Sequence, residues 1–333
     1  MYPVFCGTVS GMAGLTLDTT VQARLDWTYQ PGEPRIAALY ERAKRAQWSS
    51  ADVDWSVDVP FGEPLPDDSA FAMSAFRASP LSRYGRHMWD VFRWELQSWM
   101  VSQFLHGEQA ALVVAGRLIE SVPDLDGKFY AATQAMDEAR HVEVFSRYLR
   151  ENLGGGYPVS GPLEVLMVDI LTDTRWDVTA LGMQIMVEAL AMAAFRLGDT
   201  TFHDGLVKQI CRMVGRDEAR HVTFGVMALS GLYGEMTAAE RAVREDLVLE
   251  AASLIRRRFL LGDVWERLDV DRRAGVAFAA TDPLMIAYRQ AIFSRVGVAL
   301  DQIGLLTARV RAGLAGMGLL GPSMSRIARR SQA

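Results

Sequence analysis

The hexapeptide Asp137-Glu138-Ala139-Arg140-His141-Val142 recurs as Asp217-Glu218-Ala219-Arg220-His221-Val222, 80 positions further along the chain. Thirty positions before Glu138 stands Glu108, and thirty positions before Glu218 stands Glu188, so these glutamates keep the same offset. The unit is a Glu followed thirty positions later by Glu-x-x-His, used twice. Residues i and i+3 of an α-helix lie about 300° apart around the axis and about 4.5 Å along it. Glu138 and His141 therefore share a helix face, and so do Glu218 and His221. Thirty residues are enough to finish one helix, turn and return alongside it, which brings Glu108 opposite Glu138 and Glu188 opposite Glu218. Two such hairpins packed together gather four carboxylates and two imidazoles at one centre.

That set matches the pattern described for di-iron and di-manganese carboxylate sites in four-helix bundles. Burial argues for it independently. Glu108 sits in SQFLHGEQAALVVAG and Glu188 in MQIMVEALAMAAF, where an unpaired carboxylate facing a core must shift its pKa or find a cation. Two divalent metals balance four carboxylates. Oxygen and imidazole donors without thiolate suit Fe or Mn better than Cu(I) or a structural zinc. Asp137 and Asp217 are placed to accept the distal N–H of a metal-bound His across the bundle, fixing its tautomer, with Arg140 and Arg220 pairing with them.

Outward from the repeat, apolar residues at helical spacing predict helices over about 33–47, 82–121, 126–153, 162–172, 176–198, 202–232 and 237–262, with one or two more beyond Asp282. No run alternates as a strand does, so the expected class is all-α: a four-helix bundle over 81–235, an N-terminal arm and helix over 1–80, and C-terminal helices over 236–333 that cover the bundle or make a dimer contact. Pro60, Pro64 and Pro66 make 49–68 an extended loop. Gly107 and Gly182, inside predicted helices, mark a π-bulge or close substrate approach. On the Glu108 helix the site-facing wall is Phe104, Leu105, Ala111 and Leu112. On the Glu188 helix it is Gln184, Ile185, Ala191, Met192 and Phe195, and the Glu138 helix adds Phe145. This wall is largely apolar and suits a small apolar or aromatic substrate.

The chain has 333 residues and a net charge of −5, with no basic excess to neutralise nucleic-acid phosphates. Cys6 and Cys211 make no disulfide framework, which together with the lack of a charged-then-apolar leader predicts a cytoplasmic protein. The charge-poor run Val178 to Phe195 is interrupted by Glu188 and reads as a buried helix rather than a membrane span. The tail AGLAGMGLLGPSM is too short to cross a bilayer.

On these motifs the chain resembles the ferritin-like superfamily over about residues 36–235. It is similar to the oxygen-activating branch that holds the ribonucleotide reductase small subunit, the R2-like ligand-binding oxidases, multicomponent monooxygenase hydroxylases and acyl carrier protein desaturases. The resemblance implies that Glu108, Glu138, His141, Glu188, Glu218 and His221 hold two Fe ions, or a Mn/Fe pair, with O2 as co-substrate. It also implies an external electron donor such as a reductase or ferredoxin, and a homodimer. The segment Ala46-Gln47-Trp48, followed by Asp52-Val53-Asp54-Trp55, looks like its reductase counterpart, which makes Trp48 with Asp217 a candidate electron path.

Departures narrow the reaction. Phe145 stands where reductases carry a radical Tyr, and the chain ends SMSRIARRSQA without a Tyr. A reductase subunit of the subclass with Phe at that position is thus a minor reading. Ala191 and Met192 occupy the place of the Thr of hydroxylases and desaturases, and Val214 that of the seventh ligand of arylamine N-oxygenases. A ferroxidase-type storage protein is disfavoured by chain length and by the matched repeats. What remains is an O2-activating oxidase or oxygenase performing hydroxylation, N-oxygenation, desaturation or C–C cleavage.

Overall fold

Asp124 and Asp204 stand at the starts of the two helices that carry the repeated hexapeptide, and they too are 80 positions apart. In the computed structural model each caps its helix. Asp124 accepts from the amide of Gly127 at 2.7 Å and Asp204 from that of Val207 at 2.9 Å. Each supplies an acceptor to an amide that has no partner in the first turn, and helices start there. The structure describes residues 14–321 apart from 28 and 31. Cys6, most of the opening apolar stretch and the Tyr-free C-terminal run lie outside the described residues.

The helices are α1 (Pro34–Arg45), α2 (Ala70–Ala78), α3 (His87–Ser121), α4 (Leu125–Asn152), α5 (Gly161–Thr172), α6 (Trp176–Ala180), α7 (Glu188–Thr201), α8 (Gly205–Leu229), α9 (Leu232–Glu235), α10 (Ala238–Arg258), α11 (Gly262–Arg267), α12 (Arg272–Thr281), α13 (Pro283–Gln302) and α14 (Ala308–Gly316). A π-helical stretch, Leu181–Val187, joins α6 to α7 in one continuous helix, Trp176–Thr201. Among the described residues there is no strand, and the all-α class is what the sequence predicts. The bundle is formed by α3, α4, the α6–α7 helix and α8. Pairs α3–α4 and α7–α8 make the two hairpins, and α4 packs on α8 between them. On one side α1 lies across α4 and α8; on the other α5, α10 and α13 pack against the α6–α7 helix and its neighbours.

Several boundaries differ from the sequence expectation, each for a local reason. The helix expected from 82 begins at His87, because residues 80–84 form a 3-10 turn ended by Gly85 at φ +95°. The helix expected to 232 stops at Leu229, before Gly231 at φ +81°, a backbone state that favours glycine. The helix expected to 262 ends at Arg258, and Leu261, itself at φ +59°, starts a further turn. Four short helices, α2, α9, α11 and α12, lie outside the spans expected from the sequence.

The α6–α7 helix is the one described helix long and apolar enough to cross a membrane, and 72% of its apolar window is buried inside the molecule. Gly182 lies in its π-helical stretch. A side chain there would bring its Cβ to 2.6 Å from Ile170 Cγ1, so the close approach at this glycine is to α5 and not to a substrate. Gly107 lies in regular α-helix with no heavy atom within 4 Å of a Cβ position, which removes it as a π-bulge.

Candidate metal centre

Glu108 comes from α3, Glu138 and His141 from α4, Glu188 from the first turn of α7, and Glu218 and His221 from α8. All six are buried, none more than 4% exposed. The structure brings them together as two groups that share one residue. Ligand atoms of Glu108, Glu138, His141 and Glu218 lie within 4.8 Å of one another, and so do those of Glu138, Glu188 and His221.

Both imidazoles are oriented alike. His141 turns Nδ1 inward, 3.2 Å from Glu108 Oε2, 3.1 Å from Glu138 Oε2 and 3.4 Å from Glu218 Oε1. His221 Nδ1 lies 3.1 Å from Glu138 Oε1, 3.5 Å from Glu188 Oε2 and 3.7 Å from Glu218 Oε1. The other ring nitrogens turn outward and cross the bundle. His141 Nε2 meets Asp217 Oδ2 at 3.1 Å, and His221 Nε2 meets Asp137 Oδ2 at 3.2 Å. Each histidine thus bonds the aspartate of the other hexapeptide, leaving its Nδ1 as the inward-facing donor atom.

The aspartates are pinned in turn. Arg140 pairs with Asp137 and lies 3.5 Å from Asp217; Arg220 pairs with Asp217 and lies 3.2 Å from Asp137. Gln47 donates to Asp137 at 2.9 Å and accepts from Arg140. Trp48 donates its indole N–H to Asp217 Oδ2 at 2.7 Å, and its ring faces that of His141 at 6.3 Å between centroids. Trp48, Asp217 and His141 therefore form a continuous chain from the half-buried edge to the centre. Burial pushes the Asp137 and Asp217 carboxyls up, but the facing imidazoles and guanidinium groups outweigh it and hold both below the usual carboxylate range.

The central carboxylates behave oppositely. Burial, opposed by His141, pushes Glu108 up to about 8, and burial together with neighbouring Glu218 pushes Glu188 up to about 8. Burial lowers His141 and His221, yet the carboxylates around them raise both well above the ordinary imidazole value. Protein atoms alone thus balance the buried charge by holding protons. Cations at the same point would serve instead. Three inward atoms, both Glu218 oxygens and His221 Nδ1, lack a hydrogen-bond partner. Buried polar atoms of this kind call for a partner, and the all-oxygen-and-imidazole donor set fits Fe or Mn.

Gln134 is a residue the sequence reasoning missed. It lies one turn before Glu138 and is fully buried; its amide donates to Glu138 at 2.9 Å and Glu188 at 3.2 Å and accepts from Gln184 at 2.6 Å. A glutamine four positions before a site glutamate on the same helix face was the available signal.

The expected substrate wall is partly corrected. Phe104, Ala111 and Ala191 line a cavity of about 30 Å³ that also exposes Glu108 and Glu188. Gln184 does not line it, being occupied with Gln134. Ile185 is fully buried, packed beside Gly225. Phe145 and Phe195 stack on each other at 5.6 Å behind Phe104 and are core. Leu105, Leu112 and Met192 are only half-buried and do not line the cavity. The wall is completed by groups outside the bundle hairpins, Leu163 from α5 and Arg258 and Phe259 at the end of α10.

No protein-family model and no curated protein matches the chain. Among solved structures it is similar to a glycine-to-phenylalanine variant of an R2-like ligand-binding oxidase with anaerobically reconstituted Mn/Fe cofactor. That likeness has a TM-score of 0.48 and 18% identity, covering 84% of this chain and 96% of the other. A glycine-to-leucine variant with the same cofactor gives 0.48 and 19%, covering 84% and 95%. A valine-to-isoleucine variant reconstituted aerobically gives 0.43 and 18%, covering 88% and 93%.

Proposed function

We propose that the chain is a dinuclear-metal oxidase or oxygenase of the ferritin-like kind, which uses O2 to oxidise a small, largely apolar organic substrate. The observation that carries the reading is the pair of buried ligand groups sharing Glu138, each with one histidine Nδ1 facing inward. Glu108, Glu138, His141 and Glu218 would hold one metal, and Glu138, Glu188 and His221 the other. Two Fe ions, or Mn with Fe, would supply O2 binding and the electrons for its reduction when bound.

The chain's own residues do the rest. Asp217 and Asp137 fix the tautomer and direction of the two imidazoles, and Arg140 and Arg220 keep those aspartates charged. Gln134 orients Glu138 and Glu188. Phe104, Ala111 and Ala191 keep the cavity beside the carboxylates apolar and tight, which limits water at the centre. Trp48, bonded to Asp217, is the route for electrons from an external donor, a reductase or a ferredoxin. A homodimer and a cytoplasmic setting belong to the same reading.

The test is O2 uptake after anaerobic loading with Fe(II), followed by rapid mixing with oxygenated buffer. Loaded protein takes up O2 and develops transient visible absorption, whereas Glu218→Ala does neither. A flat trace from fully loaded protein contradicts the reading.

A further inference from the structure

Three deeply buried tyrosines differ in what their hydroxyls meet. Tyr130, Tyr148 and Tyr233 are each at most 1% exposed. The hydroxyls of Tyr130 and Tyr233 have no hydrogen-bond partner. Tyr148 donates its O–H to Asp204 Oδ2 at 2.8 Å and accepts from the side-chain amide of Gln97 at 2.9 Å. Asp204 is itself buried and forms no ion pair among the described residues. Its other contacts are the Gln97 amide at 2.7 Å and the backbone N–H of Val207 at 2.9 Å. A buried carboxylate without a cation thus faces a buried phenol. Burial together with that carboxylate pushes the phenol well above the ordinary tyrosine value, so Tyr148 holds its proton at neutral pH.

Tyr148 follows His141 by seven positions, or two helical turns. It therefore lies on the same face of α4, about 10 Å along the axis from a ligand of the centre. Electrons tunnel over such separations in proteins. A phenol that loses an electron becomes a strong acid, and it is oxidised readily only where a base within hydrogen-bond distance takes the proton. Asp204 is such a base, and its negative charge eases the loss. Tyr130 and Tyr233 have none. Tyr157 also donates to a carboxylate, that of Glu95, but there Arg267 lies over the ring at 4.2 Å and 3.6 Å from the carboxylate, a cation that opposes removal of an electron.

We propose that Tyr148 is redox-active: when O2 reacts at the metal pair with no substrate bound, Tyr148 gives one electron to the pair and its proton to Asp204. The proposal deepens the oxidase reading and rests on it for the oxidant. Reduction of O2 to two waters takes four electrons, with four protons drawn from solvent. Two divalent ions supply two electrons as they become trivalent, and a substrate bond would supply the other two. Without substrate, Tyr148 supplies one and the external donor the other. The phenolic O–H bond breaks, the proton passes to Asp204 Oδ2, and a neutral phenoxyl radical is left facing a neutral carboxyl. The two residues thereby lose the negative charge they held in a buried place, which favours the step.

The test mixes anaerobic full-length protein, loaded with excess Fe(II), with O2 and no substrate, then freeze-quenches it for electron paramagnetic resonance. The excess Fe(II) stands in for the external donor, and O2 uptake and Fe content are measured on the same samples. The wild-type protein gives a free-radical signal that narrows when the protein is made with ring-deuterated tyrosine. The signal is lost in Tyr148→Phe and kept in Tyr130→Phe. It falls by about tenfold or more in Asp204→Asn, which keeps an oxygen to cap α8 but supplies no base. O2 uptake without a signal, or a signal that ring deuteration leaves unchanged, overturns the proposal in the wild-type protein and leaves the oxidase reading standing. A signal that survives in Tyr148→Phe, or one of undiminished yield in folded Asp204→Asn, also overturns it. Loaded protein that takes up no O2 contradicts the oxidase reading, and the proposal falls with it.

Discussion

His203 shows how an ionisable side chain outside the centre acts on stability. It is half-buried against Trp94, with ring centroids 5.1 Å apart. Burial, reinforced by Arg93 and Lys208 and opposed by Asp68, lowers its pKa from 6.5 to about 4. Between those values the unfolded chain binds a proton that the folded one does not, so the stability this residue contributes is present above 6.5 and lost as pH falls through the folded value. Urea unfolding at both ends of that window should show His203→Gln losing part of the wild-type pH dependence; an unchanged slope contradicts the assignment. At this scale the sequence was legible where residue identity repeats. Glu108, Glu138, His141, Glu188, Glu218 and His221 announce themselves through the offset of 80, and Asp137 and Asp217 through their place beside the ligands. Gln134 was legible only through its place one turn before Glu138, and Arg258 not at all. A glutamine in a charged helix and one arginine of the run RRRF both read as solvated surface until tertiary packing buries them.

The α6–α7 helix makes the corresponding point for elements. Its apolar pattern is read easily as a buried helix; the π-helical stretch Leu181–Val187 is marked in the sequence by Gly182 alone, since the apolar pattern itself does not show one extra residue in a turn. The stretch ends immediately before Glu188, and α5 packs against Gly182 at its start. Gly182→Ala drives a methyl to 2.6 Å from Ile170 Cγ1 and should destabilise the protein by about 1–3 kcal/mol, as overpacking does. Ile170→Ala in the same chain should restore part of that loss in thermal unfolding. A neutral single substitution would mean that α5 yields freely at this contact. Helix starts at Asp124 and Asp204 follow from side-chain caps, whereas α2 and α12, at 9 and 10 residues, are too short for periodicity to reveal.

Seen whole, the molecule is a repeated hairpin whose two halves agree at the four buried glutamates and two histidines and differ around them. In the first half Phe104 packs on Phe145; 80 positions later Gln184 lies against Gly225, where a Cβ would meet it at 2.4 Å. One side of the centre is therefore aromatic and the other carries the Gln134–Gln184 amide pair. Only the helices outside the hairpins close the cavity, through Leu163, Arg258 and Phe259, and this assembly depends on packing across the molecule rather than on any local pattern. The claim on which all of this depends is that the shared position of Glu138 makes one two-metal centre. Counting metal ions per chain after anaerobic Fe(II) loading and removal of unbound metal tests it most directly. The wild-type chain should hold two Fe and Glu138→Ala fewer than one, because both groups lose a member. Fewer than one Fe in the wild-type chain, or two retained in folded Glu138→Ala, would contradict it.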